Sequence, residues 1–114
     1  MKTYTHPELR DVSLATVMQA LSDPARLTIV RLLLEGGEYA CNAVPLKINK
    51  ATRSHHFAVL REAGLIFTHV NGTKALTSIR LQEFNARFPG LLDLVLKLEQ
   101  APRKKNSASS RKSR

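Results

Sequence analysis

Five side chains able to hydrogen-bond, Lys50, Thr52, Arg53, Ser54 and His55, fall within six consecutive residues at the head of KATRSHHFAVLREAGL, Lys50 to Leu65. Their chemistry is recognition: short polar groups and cations on a segment with helical periodicity. Asn49 is placed to cap the start of this helix, and Gly64 suits the left-handed position just past its end. At about 100° per residue, His56, Phe57, Val59, Leu60 and Ala63 share one side. Ala51, Ser54, His55 and Ala58 share the other, with Lys50, Arg61 and Glu62 at the margins. A helix that enters a DNA major groove needs a small, polar outer face with bases around it, because bulky apolar side chains would block its approach. An ordinary amphipathic helix with a solvated face shows the same pattern, so the elements around it must decide.

At 114 residues the chain suits one domain with a modest core. Hydrophobic residues make up 43% and Trp is absent, so the core is aliphatic and general disorder is excluded. No run approaches the roughly 18 apolar residues of a membrane span, and the amino terminus lacks a secretory-signal pattern. The single cysteine, Cys41, rules out an intramolecular disulfide, and these features together point to the cytoplasm. A net charge of +9 implies a polyanionic partner. Six of the 18 bases, however, sit in residues 102–114, PRKKNSASSRKSR, leaving twelve bases against nine acids in the rest of the chain. An enzyme finds no support: there is no glycine-rich phosphate loop, the carboxylates are scattered, and Cys41 has no base beside it at motif spacing.

Residues 1–10 read as a loosely ordered arm. Asp11 or Ser13 can cap a helix through Val12, Leu14, Val17, Met18 and Leu21. Asp23 followed by Pro24 is a strong start for a second helix, which runs through Leu27, Ile29, Val30, Leu33 and Leu34 to Gly36-Gly37. Glu38-Tyr39-Ala40 suggests a short strand, and Cys41 to Leu46 a short helix cut by Pro45, which would brace the Lys50 helix as the first half of a helix-turn-helix. After Gly64 the period becomes two. Ile66 to Val70 and Thr73 to Ile79 form strands about an Asn71-Gly72 turn, a hairpin wing whose tip offers Asn71, Gly72, Thr73 and Lys74 with His69 close by. Leu81 to Phe88 reads as a short helix and Leu91 to Gln100 as another, apolar on nearly every side. A terminal helix of that kind needs a second partner besides its own core, best supplied by another copy of the chain. The fold class is therefore mostly α with a β wing: a winged helix-turn-helix of about five helices, with residues 11–101 as the domain and 102–114 as a disordered basic tail.

ALSDPARLTIVRLLLEGGE, KATRSHHFAVLREAGLI and THVNGTKALTSI resemble, in order and spacing, the ArsR/SmtB family of bacterial winged-helix repressors. The resemblance implies a homodimer joined through its first and last helices, here through Leu14, Val17, Met18, Leu91, Leu94, Val95 and Leu98. It implies an inverted-repeat promoter site and an inducer that weakens binding. Lys50, Thr52, Arg53, Ser54 and His55 match the family's DNA-facing positions, Arg61 a base at the far end of that helix, and Asn71 to Lys74 the wing tip. His56 matches a histidine whose inner position favours orienting the helix, and Arg53, at the core boundary, would snorkel to a phosphate. Metal-sensing relatives carry a Cys-x-Cys or Asp and His ligands on the last helix, whereas this chain has one thiol, and His6, His55, His56 and His69 form no ligand set at motif spacing. No metal or other cofactor is expected, with a site between protomers using His6 and Cys41 left open. Cys41 stands as a possible sensor against the plainer reading of a small, partly buried apolar residue. A winged-helix module that binds proteins rather than DNA is the competing function.

Overall fold

Side-chain caps start three helices that frame the fold. The computed structural model describes residues 4–100, in which α1 (Leu14–Ala20), α2 (Pro24–Gly36) and α3 (Lys50–Glu62) precede β2 (Ile66–Asn71) and β3 (Lys74–Ile79). Two further helices, α4 (Leu81–Arg87) and α5 (Leu91–Gln100), close the chain, and a two-residue strand, β1 (Tyr39–Ala40), lies between α2 and α3. Ser13 Oγ accepts the Thr16 N–H at 3.1 Å, Asp23 Oδ1 those of Ala25 and Arg26 at 2.8 and 3.3 Å, and Asn49 Oδ1 that of Thr52 at 2.8 Å. Each cap satisfies backbone donors that the helix leaves open, worth about 1 kcal/mol.

The end of α3 is set as firmly as its start. Gly64 N–H donates to Arg61 C=O and Leu65 N–H to Leu60 C=O, the paired bonds of a Schellman motif. Gly64 has φ +75°, and a Cβ there would lie 2.8 Å from Leu9 Cδ1, so conformation and space both require glycine.

The antiparallel sheet has the order β1-β3-β2. Thr68 pairs with Thr77 and Asn71 with Lys74, so the hairpin loop is Gly72-Thr73, one residue later than the expected Asn71-Gly72. Gly72, at φ +68°, thereby takes the first loop position, where a type II′ turn calls for glycine. Alternation along β2 buries Ile66 and Thr68 and leaves Phe67 and Asn71 outside. The core between the helices and this sheet is largely aliphatic, with Val17, Ile29, Val30, Leu33, Leu60, Leu65, Ile66 and Leu92 inaccessible beside Phe57 and Phe84. Among the described residues no helix is long and apolar enough to cross a membrane.

Two further expectations, for the amino-terminal arm and for Val17, need correction. The amino-terminal segment is docked. Leu9 and Val12 are buried, His6 Nε2 accepts the Thr68 N–H at 2.9 Å, and Arg80 and Arg87 reach back to the carbonyls of Pro7, Leu9 and Val12 at 2.9 to 3.1 Å. The first half of the helix-turn-helix is short and irregular, as the interruption at Pro45 implies: a 3-10 turn over Cys41–Ala43. Val17 faces the protomer's own core and has no exposed surface to offer a second copy. The basic tail lies outside the described residues.

Candidate nucleic-acid interface

Helix α3 separates its faces as the sequence periodicity requires. Lys50, Ala51, Ser54 and His55 are exposed, Thr52 and Ala58 are half-buried, and His56, Phe57 and Leu60 are buried. The adjacent histidines therefore differ in exposure although their ring centroids lie 6.0 Å apart: His55 is exposed to solvent, while His56 is 7% exposed. Ser54 and His55, on one turn with small neighbours, form a low surface that a groove edge can approach. Arg61, at the far end, lies over the Tyr4 ring at 4.6 Å from its centroid, which holds the cation beside the helix. At the wing tip Asn71, Gly72, Thr73 and Lys74 are all exposed.

Arg53 departs from the expected role. Its guanidinium donates to Val44 C=O at 2.6 Å, Leu46 C=O at 2.9 Å and, more weakly, Cys41 C=O at 3.4 Å. These carbonyls belong to the irregular stretch around Pro45, where a regular helix would have satisfied them internally. Arg53 thus turns inward and substitutes for the missing helix, bracing α3 instead of reaching a phosphate.

Behind α3, the buried Arg26 of α2 places Nη1 3.1 Å from His56 Nδ1 while its Nε donates to Ala20 C=O at 2.7 Å. Sequence reading missed Arg26, although a signal existed. It shares the inward stripe of α2 with Ile29, Val30 and Leu33, all buried, and a cation in such a stripe has to find acceptors. Arg26 N–H also bonds to Asp23; burial by itself would raise the Asp23 pKa, but the N–H groups of Ala25 and Arg26 and nearby positive charge hold it below the ordinary value.

Cys41 is half-buried, its Sγ 3.0 Å from Thr77 Oγ1, which in turn lies 3.0 Å from Thr68 Oγ1. With Tyr4, Ser54 and Phe57 it borders a concavity of about 210 Å³ against α3. His6, the other ligand considered for a site between protomers, already accepts a hydrogen bond. Its pKa is lowered by burial and by the charges of Arg80 and Arg61, surroundings that disfavour a further cation. Among the described residues no three His, Cys, Asp or Glu groups converge on a metal-sized site. His69 sits at the base of the wing with Nε2 3.7 Å from Glu38 Oε2.

The opposite kind of surface lies on α1 and α5. Leu14 and Met18 on α1 are 52% and 54% exposed, and Leu94 and Leu98 on α5 are 54% and 65% exposed, with Leu91 and Val95 half-buried. Leu92 and Leu96 on the same helix are buried, so α5 is apolar on its inner and outer sides alike.

Residues 23–67 match the family model described as bacterial regulatory protein, arsR family. The chain is 42% identical to YceK, an uncharacterised HTH-type transcriptional regulator of Bacillus subtilis, over 82 residues covering 69% of this chain and 82% of that one. It is 33% identical over 97 residues to the arsenical resistance operon repressor of Staphylococcus xylosus, covering 84% and 92%. Among solved structures it resembles the homodimeric winged helix-turn-helix DNA-binding domain of Mb0332 from Mycobacterium bovis, with a TM-score of 0.62 and 28% identity over 75% of this chain and 77% of that one.

Proposed function

The chain belongs to the ArsR family of bacterial regulatory proteins, and from that premise we propose that this transcriptional regulator is a homodimeric repressor of an inverted-repeat operator. The observation that carries the reading is the division of its exposed surface. A small polar face on α3 and a polar wing tip suit DNA, while unpartnered leucines on α1 and α5 suit a second protomer. Pairing through Leu14, Met18, Leu91, Leu94, Val95 and Leu98 would present two α3 helices about one DNA turn apart, roughly 34 Å. Thr52, Ser54 and His55 then sort bases in the major groove, while Lys50, Arg61 and the residues Asn71 to Lys74 fix register on phosphates. The basic tail adds salt-sensitive affinity that does not depend on sequence.

Filter binding of the purified chain to genomic fragments, followed by titration on its own upstream DNA with residues 102–114 present or deleted, tests this reading. Selective retention of a palindromic fragment is expected, and the deletion lowers affinity for all DNA and flattens the salt slope with sequence preference intact. Uniform retention of all fragments would replace the repressor with a module that binds proteins or DNA without selection. Release from the operator is to be screened with metals, oxidants and thiol reagents, with Cys41→Ser in parallel. Release confined to the wild type would assign sensing to Cys41, and equal release would remove it.

A further inference from the structure

Arg26 is a buried cation held by no salt bridge among the described residues, with 9% of its surface exposed. Its planar fork is committed to three acceptors instead. Nε donates to Ala20 C=O at 2.7 Å and Nη2 to Gln19 C=O at 3.2 Å, an acceptor it shares with the Ser22 hydroxyl, at the carboxyl end of α1, where the dipole favours positive charge. Nη1 lies 3.1 Å from His56 Nδ1. A guanidinium has donors only, so His56 Nδ1 is the acceptor and the ring carries its proton on Nε2. One rigid group therefore bonds both the helix that presents Leu14 and Met18 and the hidden side of the helix that presents Ser54 and His55.

We propose that Arg26 is a positioning residue that fixes the tilt of α3 relative to α1, and through it the separation of the two α3 helices in the dimer. The lever arm makes this consequential. A helix of 13 residues is about 20 Å long, so a tilt of about 10° at one end swings the other by roughly 3 Å. That displacement moves side chains out of hydrogen-bond reach of a base edge. Arg53 ties α3 to the stretch around Pro45, whereas the fork of Arg26 links it to α1, and the apolar contacts made by Phe57 and Leu60 behind α3 are less directional than such a bond. The inference rests on the dimeric, operator-binding reading given above.

The test uses the full chain and operators whose half-site spacing is changed by one base pair either way, beside a single half-site. Four proteins are compared: wild type, Arg26→Lys, His56→Leu and His56→Asn, the last keeping an acceptor close to the position of Nδ1. Wild type is expected to prefer one spacing. Arg26→Lys and His56→Leu lower affinity for that spacing by about tenfold and level the preference, the loss of a charge-assisted hydrogen bond. Their base preference within a half-site and their dimer dissociation constants by sedimentation stay as in wild type, and His56→Asn restores the spacing profile. A sharp, unshifted spacing profile in every variant, with affinity falling only as thermal stability falls, would overturn the positioning role. A wild type indifferent to spacing, or one that binds no operator, would instead overturn the dimeric reading on which it rests. Should Arg26→Lys fail to fold, the contrast between His56→Leu and His56→Asn decides.

Discussion

Helices α3 and α5 both bury one side in the same core and expose the other, yet their exposed sides are opposites. On α3 the outside includes Lys50, Ala51, Ser54 and His55; on α5 it includes Leu94 and Leu98 beside Asp93 and Lys97, with Leu91 and Val95 half-buried. A polar face loses little by staying in water and can exchange water for a base edge when DNA arrives. An exposed leucine forgoes about 25 cal/mol for each Å² left in water, so the α5 face gains by being covered. The contrast separates a surface at ease in water from one that gains by burial. In the repressor reading the second surface serves the first, since pairing α5 presents α3 in duplicate.

The largest effect is expected from removing that contrast. Leu94→Glu combined with Leu98→Glu places charges on the face proposed to pair, and dimerisation should weaken by roughly a hundredfold or more, as truncating interface anchors does. Sedimentation would show monomer, and operator affinity would fall with it while circular dichroism stays native. A stable dimer in the double variant would assign the interface elsewhere.

Within α3, neighbouring residues should behave differently. Ser54→Ala and His55→Ala should lower affinity for the operator by about 1–3 kcal/mol and leave affinity for unrelated DNA and the melting temperature unchanged. Arg53→Ala should do the reverse, costing about 1–3 kcal/mol of stability, because the Leu46 carbonyl loses its guanidinium donor and the Val44 carbonyl keeps only the Leu46 N–H. Its salt slope should not change, because no phosphate contact is removed. A lower salt slope at unchanged stability would return Arg53 to the DNA-contacting set.

Gly64→Ala combines a left-handed φ with a Cβ 2.8 Å from Leu9. It should destabilise the fold by about 2 kcal/mol, read as a drop in melting temperature. A melting temperature within error of wild type would show that the close of α3 tolerates movement.

The smallest effect concerns acid. His6 has its pKa lowered from 6.5 by burial first and then by Arg80 and Arg61. The unfolded chain thus binds this proton more readily than the folded one. Stability is full above 6.5, falls as pH drops through the window below it, and levels once the folded ring is itself protonated. His6→Gln, which cannot charge, should flatten that decline in a series of thermal melts, and an unchanged pH profile would detach His6 from it.

What the sequence disclosed about these regions follows from the range of the forces involved. The caps at Asp23 and Asn49, the left-handed Gly64 and the two faces of α3 depend on residues within a turn or two, and spacing alone exposes them. Arg53 was legible as a boundary residue but not in its direction, which depends on carbonyls opened by the interruption at Pro45. The docking of Leu9 depends on Arg80 and Arg87, more than seventy residues distant, and no local period reports such a contact. Val17 sat on the right stripe of α1, but one short helix shows two apolar flanks and only the packing of α3 against it decides which is inside. The turn at Gly72-Thr73 instead of Asn71-Gly72 is a choice between two registers that both place glycine in the loop, and pairing along the whole hairpin selects one.

The central claim is that the outer face of α3, doubled by dimerisation, reads an operator. Footprinting on the chain's own upstream DNA with wild type and with Ser54→Ala combined with His55→Ala tests it most directly. The account predicts two protected half-sites, one on each side of a two-fold centre and about one helical turn apart, with protection lost in the double variant at unchanged fold and dimer content. Identical footprints for the two proteins would contradict it.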